Sequence, residues 1–221
     1  MKTARSEPQR VGVLGGTFDP VHNGHLAMAR AAQRVCGLQR IYFVPAPRPW
    51  HRDAAPRAGY QDRYAMLALA LRGRRDWQPL AVPDAGRRAT YTEDQLAWIG
   101  AHETRAAITN IVGADAWLTL PTWRHWRRLL EVCDWAVLAR PRTSWERLAE
   151  VVPAAMVAEG DARQMRLRSG RTVRWLRNFR HAASATAARR ELGRGVGSGQ
   201  VPQAVAEFAR RADLYSVERN G

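Results

Sequence analysis

The stretch Val11-Gly12-Val13-Leu14-Gly15-Gly16-Thr17-Phe18-Asp19-Pro20-Val21-His22-Asn23-Gly24-His25 decides the fold. Its first four residues are a short apolar run with two β-branched valines, the mark of a buried strand. After Gly15-Gly16 the pattern turns to the helical period of residues 24–35. Gly15 and Gly16 lack a Cβ, so the chain can turn sharply and a phosphate or adenine can approach the main chain. Asp19-Pro20 is turn chemistry that delivers the chain to the helix start. His22 and His25, three residues apart in a first helical turn, share one side of it, and Gly24 between them leaves room for a ligand. The free N–H groups of that turn and the helix dipole attract anionic oxygens.

Outward from this stretch the same alternation repeats. Strands are predicted at Val11–Gly15, Arg40–Val44, Gln78–Val82, Ala107–Val112, Asp134–Ala139 and Thr172–Leu176. Helices are predicted at Gly24–Val35, Tyr60–Leu71, Glu93–Ala101, Ala114–Leu118, Ser144–Glu150, Ala187–Leu192 and Pro202–Ala212. Such βα alternation implies an α/β chain with a Rossmann-like three-layer fold, a mostly parallel sheet flanked by helices. Thr92 with Gln95, and Thr143 with Glu146, fit capping boxes. Gly37 fits the stop of the first helix. The proline-rich stretch 45–59 reads as a long loop after the second strand, and loops at strand C-termini are where such sheets bind ligands. A polar tail (1–9) precedes a single domain (10–221), whose last part from about 184 is helical, with the glycine-rich stretch 193–199 as a flexible connection to the final helix.

With 221 residues and 46% apolar content the chain can bury a full core. No signal-peptide core or membrane span is visible, so a cytoplasmic location is the default expectation. Cys36 and Cys133 lie outside any paired ligand spacing and read as reduced thiols. The formal net charge of +15 raises nucleic acid as a partner, and the arginines of 163–194 would serve it. However, Lys2 is the sole lysine, and an arginine skew of that kind follows from codon usage alone. A site for phosphate-rich small molecules explains part of the charge equally well.

A second cluster, Ser184-Ala185-Thr186-Ala187-Ala188-Arg189, puts hydroxyl donors at a helix start and a guanidinium about one turn in, a geometry suited to phosphate. The glycines at 12, 15 and 16 do not give the dinucleotide fingerprint spacing. The motif through His22-Asn23-Gly24-His25 instead resembles the His-x-Gly-His signature of the nucleotidyltransferase superfamily, in which a Ser/Thr-x-x-Arg segment closes over the ATP phosphates. Further segments narrow the resemblance to bacterial nicotinate-nucleotide adenylyltransferases. They are Ile111–Ala116, Leu120–Trp123, Trp126–Glu131, Ala89–Thr92, the Pro49–Arg52 loop and Leu138–Pro141. The likeness extends from Val11 to about Tyr215, with departures at Ala183, Ala188 and Arg48–Trp50.

The resemblance implies adenylyl transfer from ATP to nicotinate mononucleotide, with nicotinate adenine dinucleotide and pyrophosphate as products, in NAD biosynthesis. It implies that His22, His25 and Arg189 carry the catalysis and that Gly15, Gly16, Thr17, Phe18, Gly24, Gly113, Asp115, Ser184 and Thr186 bind ATP. Tyr91, Thr92, Trp123 and Arg140 would surround the nicotinate nucleotide, with His51 and Arg52 closing over it, and the part from about 184 would close over the ATP phosphates. Clustered carboxylates for a resident metal are missing from the sequence, so Mg²⁺ is expected to arrive with ATP, and no permanently bound cofactor is expected. Within the superfamily, a phosphopantetheine adenylyltransferase or a cytidylyltransferase is the alternative, against which Tyr91-Thr92 and Trp123 argue. A class I synthetase would need a lysine-rich second signature that a single lysine cannot provide. Homo-oligomerisation is left open.

Overall fold

The computed structural model describes residues 8–47, 55–81, 91–139, 143–177, 179–195 and 199–216. β1 (Gln9–Gly16), α1 (Asn23–Cys36), β2 (Arg40–Pro45), α2 (Tyr60–Leu71) and β3 (Trp77–Pro79) form the first half. α3 (Thr92–His102), β4 (Ala106–Gly113), α4 (Ala114–Leu118), α5 (Trp126–Val132), β5 (Asp134–Leu138) and α6 (Trp145–Ala149) form the second. β6 (Val157–Gly160), β7 (Gln164–Leu167), β8 (Thr172–Leu176), α7 (Ala185–Gly193) and α8 (Gln203–Arg211) complete the chain. One eight-stranded sheet runs in the order β3-β2-β1-β4-β5-β8-β7-β6. The strands from β3 to β8 in that order are parallel, and β7 and β6 add an antiparallel edge. The expected three-layer α/β architecture is therefore the observed one.

Strand alternation sorts the side chains into two cores. Val11 and Val13 of β1 face Leu96, Ile99, Trp117, Leu129 and Leu148 of α3 to α6. Leu14 faces Ala29, Ala32, Met66, Leu67, Val205 and Ala209 of α1, α2 and α8. Gly12 makes the second face possible, because a Cβ there would lie 2.7 Å from Leu38 and 3.0 Å from Ile111. On the first face Trp117 meets Trp135 and Trp175 edge-on, with centroids 5.2 and 5.7 Å apart. Its indole N–H, which would otherwise be a buried orphan, donates to the Leu148 carbonyl at 2.8 Å. Cys36 and Cys133 are free thiols, and burial pushes Cys133 up to about 12.

The order in which strands are added reverses between the parallel neighbours β1 and β4: from β1 the sheet grows through β2 to β3 on one side, and from β4 through β5 on the other. A crevice opens at such a switch point beyond the strand C-termini, here just after Gly16 and Gly113. The loops leaving β1 and β2 are held there by Arg63 of α2, which is 1% exposed. Its Nη1 donates to the carbonyls of Thr17 (2.7 Å) and Ala46 (2.8 Å), its Nη2 to Pro47 (3.2 Å) and its Nε to Ala58 (3.2 Å). Burial pulls this guanidinium below its ordinary pKa, and the nearby Asp19 charge opposes that pull.

The differences from the sequence expectations have local causes. α3 is capped at Tyr91, whose N–H donates to Asp94 at 3.2 Å, so Thr92 is its first helical residue rather than its cap. α6 is capped by Ser144, whose Oγ accepts from Arg147 N–H at 3.3 Å, in place of Thr143. β3 starts one residue earlier than predicted and ends at Pro79; Val82 lies outside the described residues. The antiparallel edge and α5 have no counterpart among the predicted elements.

Replacing Arg63 with Leu should leave four carbonyl oxygens without their donor. The expected cost is at least about 3 kcal/mol, or roughly 6–12 °C in melting temperature for a chain of this size. A thermal melt of the variant within a degree or two of the parent would show that water replaces the guanidinium at little cost.

Candidate active site

A cavity of about 550 Å³ lies at the switch point. The motif loop and the start of α1 form one wall, the end of β4 and the start of α4 a second, and the segment leading into α7 a third.

His22 caps α1 and His25 occupies its third position, so the two rings stack with centroids 3.7 Å apart. The His22 backbone N–H donates to His25 Nδ1 at 3.2 Å. With Nδ1 used as an acceptor, the inferred neutral tautomer carries its proton on Nε2. Phe18 packs edge-on against His25 at 4.8 Å. Gly24 is required by this packing, since a Cβ there would stand 2.9 Å from the His22 ring and 3.1 Å from the Ala183 carbonyl. The first turn of α1 offers fewer free amides than the sequence suggests. Asn23 N–H donates to Gln200 O (2.7 Å) and His25 N–H to His22 O (2.9 Å). The anion-attracting groups here are chiefly side chains.

Across the cavity Ser184 caps α7, its Oγ accepting from Ala187 N–H at 3.2 Å. Arg189, five residues on, has Nη1 donating to the Asp19 carbonyl at 2.7 Å and Nη2 3.4 Å from Thr186 Oγ1. Ala188 is fully buried beneath it, so the small residue at this position fills its space. At the β4 end, Gly113 caps α4 and lies under the Asp115 carboxylate, which a Cβ on Gly113 would meet at 2.6 Å. Thr92 of α3 and Trp123 line the same cavity. Trp123 is half-buried, 6.4 Å from Trp135, with its indole nitrogen 3.4 Å from Thr119 Oγ1.

The structure therefore brings Gly15, Gly16, Thr17, Phe18, His22, Gly24, His25, Thr92, Gly113, Asp115, Trp123, Ser184, Thr186 and Arg189 around one space. Phe18 lines the cavity while its side chain is 1% exposed and packs against Gly16 and Phe43. Tyr91 caps α3 beside the cavity, with the Arg124 guanidinium 5.0 Å over its ring. His51, Arg52 and Arg140 lie outside the described residues. Arg168, Arg177 and Arg180 are exposed, and Arg168 and Arg171 reach the carbonyls of Ala155 and Glu131; none of this run lines the cavity among its described residues.

Further polar residues of the wall are not singled out by the sequence, among them Gln95, Asn110, Asp19 and His181. Gln95 reads from the sequence only as a capping partner. Asn110 is 3% exposed on β4, and its amide nitrogen has no partner among the described residues. A polar residue inside the apolar run Ile108–Val112 was the available signal. From the sequence Asp19 reads as turn chemistry alone. In the structure it is 5% exposed, follows Phe18 in the left-handed region (φ 50°), and its peptide bond to Pro20 is cis.

No helix among the described residues is long and apolar enough to cross a membrane. Residues 13–191 match the cytidylyltransferase-like family. Relatives named "Probable nicotinate-nucleotide adenylyltransferase" include one from Gloeobacter violaceus, 34% identical and covering 95% of this chain and 97% of its own. One from Laribacter hongkongensis is 38% identical over 94% of this chain and 95% of its own. The fold is shared with Plasmodium falciparum nicotinic acid mononucleotide adenylyltransferase complexed with NaAD, at a TM-score of 0.72 and 12% identity, over 94% of this chain and 97% of that one. With relatives this similar along nearly its whole length, the chain belongs to the nicotinate-nucleotide adenylyltransferase family of cytidylyltransferase-like nucleotidyltransferases.

Proposed function

We propose that the protein transfers the adenylyl group of ATP to nicotinate mononucleotide, forming nicotinate adenine dinucleotide for NAD biosynthesis and releasing pyrophosphate. The observation that carries this reading is one continuous cavity lined by paired imidazoles, an arginine and a helix-start surface with an aromatic residue. A phosphate oxygen of the mononucleotide attacks the α-phosphorus in line, and the bond from that phosphorus to the pyrophosphate oxygen breaks. The pyrophosphate departs with the electron pair, so no enzyme nucleophile is required. The protein's task is to hold two polyanions together and to stabilise charge that grows on the α-phosphate and leaving group.

His25 and His22, stacked on each other, serve the α-phosphate. Ser184, Thr186 and Arg189 serve the leaving pyrophosphate, so that the part of the chain from about 184 closes over the ATP phosphates. Gly15, Gly16, Thr17, Gly24, Gly113 and Asp115 form the adenosine side, with Phe18 supporting it from the core. Thr92 and Trp123, with Tyr91, His51, Arg52 and Arg140, form the nicotinate nucleotide side. ATP enters as its magnesium complex, whose metal lowers the charge on the phosphates. Among the described residues no cluster of three metal-binding side chains offers it a dedicated cage. Asp19 in particular is already committed to backbone and side-chain donors.

Preference for the acid over the amide follows from α3. Thr92 is its first helical residue, where unpaired N–H groups and the positive dipole end favour a carboxylate. The first-turn acids do not cancel this effect. Glu93 is held by His125 at 2.6 Å, which keeps its carboxyl below the ordinary range, with Arg128 3.7 Å away, and Asp94 accepts from Tyr91 N–H. Nicotinamide would set its own N–H donors against these donors, at about 1–3 kcal/mol for each group left unpaired.

Three outcomes test the reading. Incubated with MgATP and a panel of mononucleotides, the protein should release pyrophosphate, and in competition kcat/KM should favour nicotinate over nicotinamide mononucleotide by at least about tenfold. Equal use of the two would sink the helix-start account even if transfer occurred. His25→Ala should lower turnover by about 10²–10³ while the fold stays intact by circular dichroism; near-normal turnover would remove His25 from the chemistry. Trp123→Ala should chiefly raise the KM for the mononucleotide. A lower melting point with unchanged kinetics would make Trp123 a packing residue only.

A further inference from the structure

Asp19 is the meeting point of segments far apart in the chain. Its Oδ1 accepts from Ala58 N–H at 3.1 Å and from the Tyr215 hydroxyl at 2.8 Å. Its Oδ2 accepts from Arg57 N–H at 2.9 Å and lies 3.9 Å from Arg189 Nη1. The same Nη1 is fixed at 2.7 Å on the Asp19 main-chain carbonyl. Asp19 is 5% exposed and Tyr215 7%, so these bonds are made away from bulk water.

Tyr215 reaches this place by an unusual path. Beyond α8, Asp213 and Tyr215 both adopt left-handed backbone (φ 49° and 68°), and Leu214 N–H returns to the Ala209 carbonyl at 2.8 Å. Non-glycine residues are held in that region only where their surroundings over-determine them. Here the compensation is a buried phenol against a buried carboxylate. Burial and the Asp19 charge push the phenol far above its ordinary value, so it remains a donor. Arg63, the other cation facing Asp19, is occupied by carbonyl oxygens. Tyr215 does not line the cavity among the described residues, whereas Asp19 and Arg189 do. The Tyr215 hydroxyl hydrogen-bonds Asp19, which in turn adjoins Arg189.

We propose that Tyr215 is a positioning residue: by hydrogen-bonding the Asp19 carboxylate it fixes the surface that orients Arg189 toward the ATP phosphates. This rests on the adenylyl-transfer reading above and extends the site to a residue 196 positions away from the motif loop. With the Tyr215–Asp19 bond intact, the carboxylate is held by three donors and presents a fixed edge to Arg189. Without it, Asp19 can rotate and Arg189 loses its alignment.

A double-mutant cycle tests this. Tyr215→Phe keeps the ring and removes only the hydroxyl. Its kcat/KM for ATP should fall roughly tenfold, with the KM for nicotinate mononucleotide changed less than about twofold. In an Arg189→Ala background the same substitution should change kcat/KM for ATP by less than about twofold, because its route of action is gone. Asp19→Asn, which keeps an acceptor for the tyrosine but removes the charge beside Arg189, should likewise lose its effect on ATP in that background. Calorimetric binding of a non-hydrolysable ATP analogue to the same proteins should give the same coupling without turnover. Additive effects of Tyr215→Phe and Arg189→Ala, or a lowered melting point with unchanged ATP kinetics and binding, would overturn the proposal. Absence of pyrophosphate release by the parent protein would instead overturn the adenylyl-transfer reading and leave the binding cycle to judge Tyr215.

Discussion

A backbone carbonyl buried without a donor is costly, and four of them converge where the chain leaves β1 and β2. One guanidinium, that of Arg63, satisfies all four. Because its fork is planar and rigid, it sets the spacing of the two loops as well as their hydrogen bonding. The motif loop beyond β1 owes its position to this bracket, and so does the stretch around Ala58 that supplies backbone donors to Asp19. The stacked imidazoles at the start of α1 are the outward face of the same arrangement.

Charge is distributed around the site by a simple rule. The buried carboxylate, Asp19, is surrounded by donors and cations that leave it little capacity for an incoming metal. The acids at the start of α3 are drawn toward the basic residues of the α5 region, Arg124, His125 and Arg128. Besides the carboxylates of Asp19 and Asp115, the described polar lining of the cavity consists of amides and hydroxyls, imidazoles and one arginine, so that phosphate oxygens meet donors from several sides.

How far the sequence could be read follows from the range of the interactions. Tyr60–Leu71 and Thr172–Leu176 are predicted to the residue, because their patterns are complete within themselves. β6 shows almost no alternation, being exposed along most of its length, and β7 has only Met165 and Leu167 as apolar residues, so the antiparallel edge was invisible. α5 is short and carries Arg127 and Arg128 on its surface. The histidine motif was legible because its chemistry lies within four residues. The role of Asp19 was not, since its partners stand 38, 39, 170 and 196 positions away, and no local pattern encodes them. Arg63 falls on the same stripe of α2 as Met66 and Leu67; an arginine in that register is a sign of a buried bracket, readable only once the neighbouring carbonyls are known.

The wall formed by residues 181–189 has a consequence for the birth of the protein. The loop bearing His22 and His25 is synthesised before the groups that complete its cavity. Contacts spanning 170 and 196 residues carry a large loop-closure cost and form late. A nascent chain still threaded through the ribosome can build β1, β2 and the bracket between them, yet it has no third wall to enclose a nucleotide. Ligand binding therefore cannot guide the early steps of folding, and the first half must hold together on its own buried contacts until the remainder emerges.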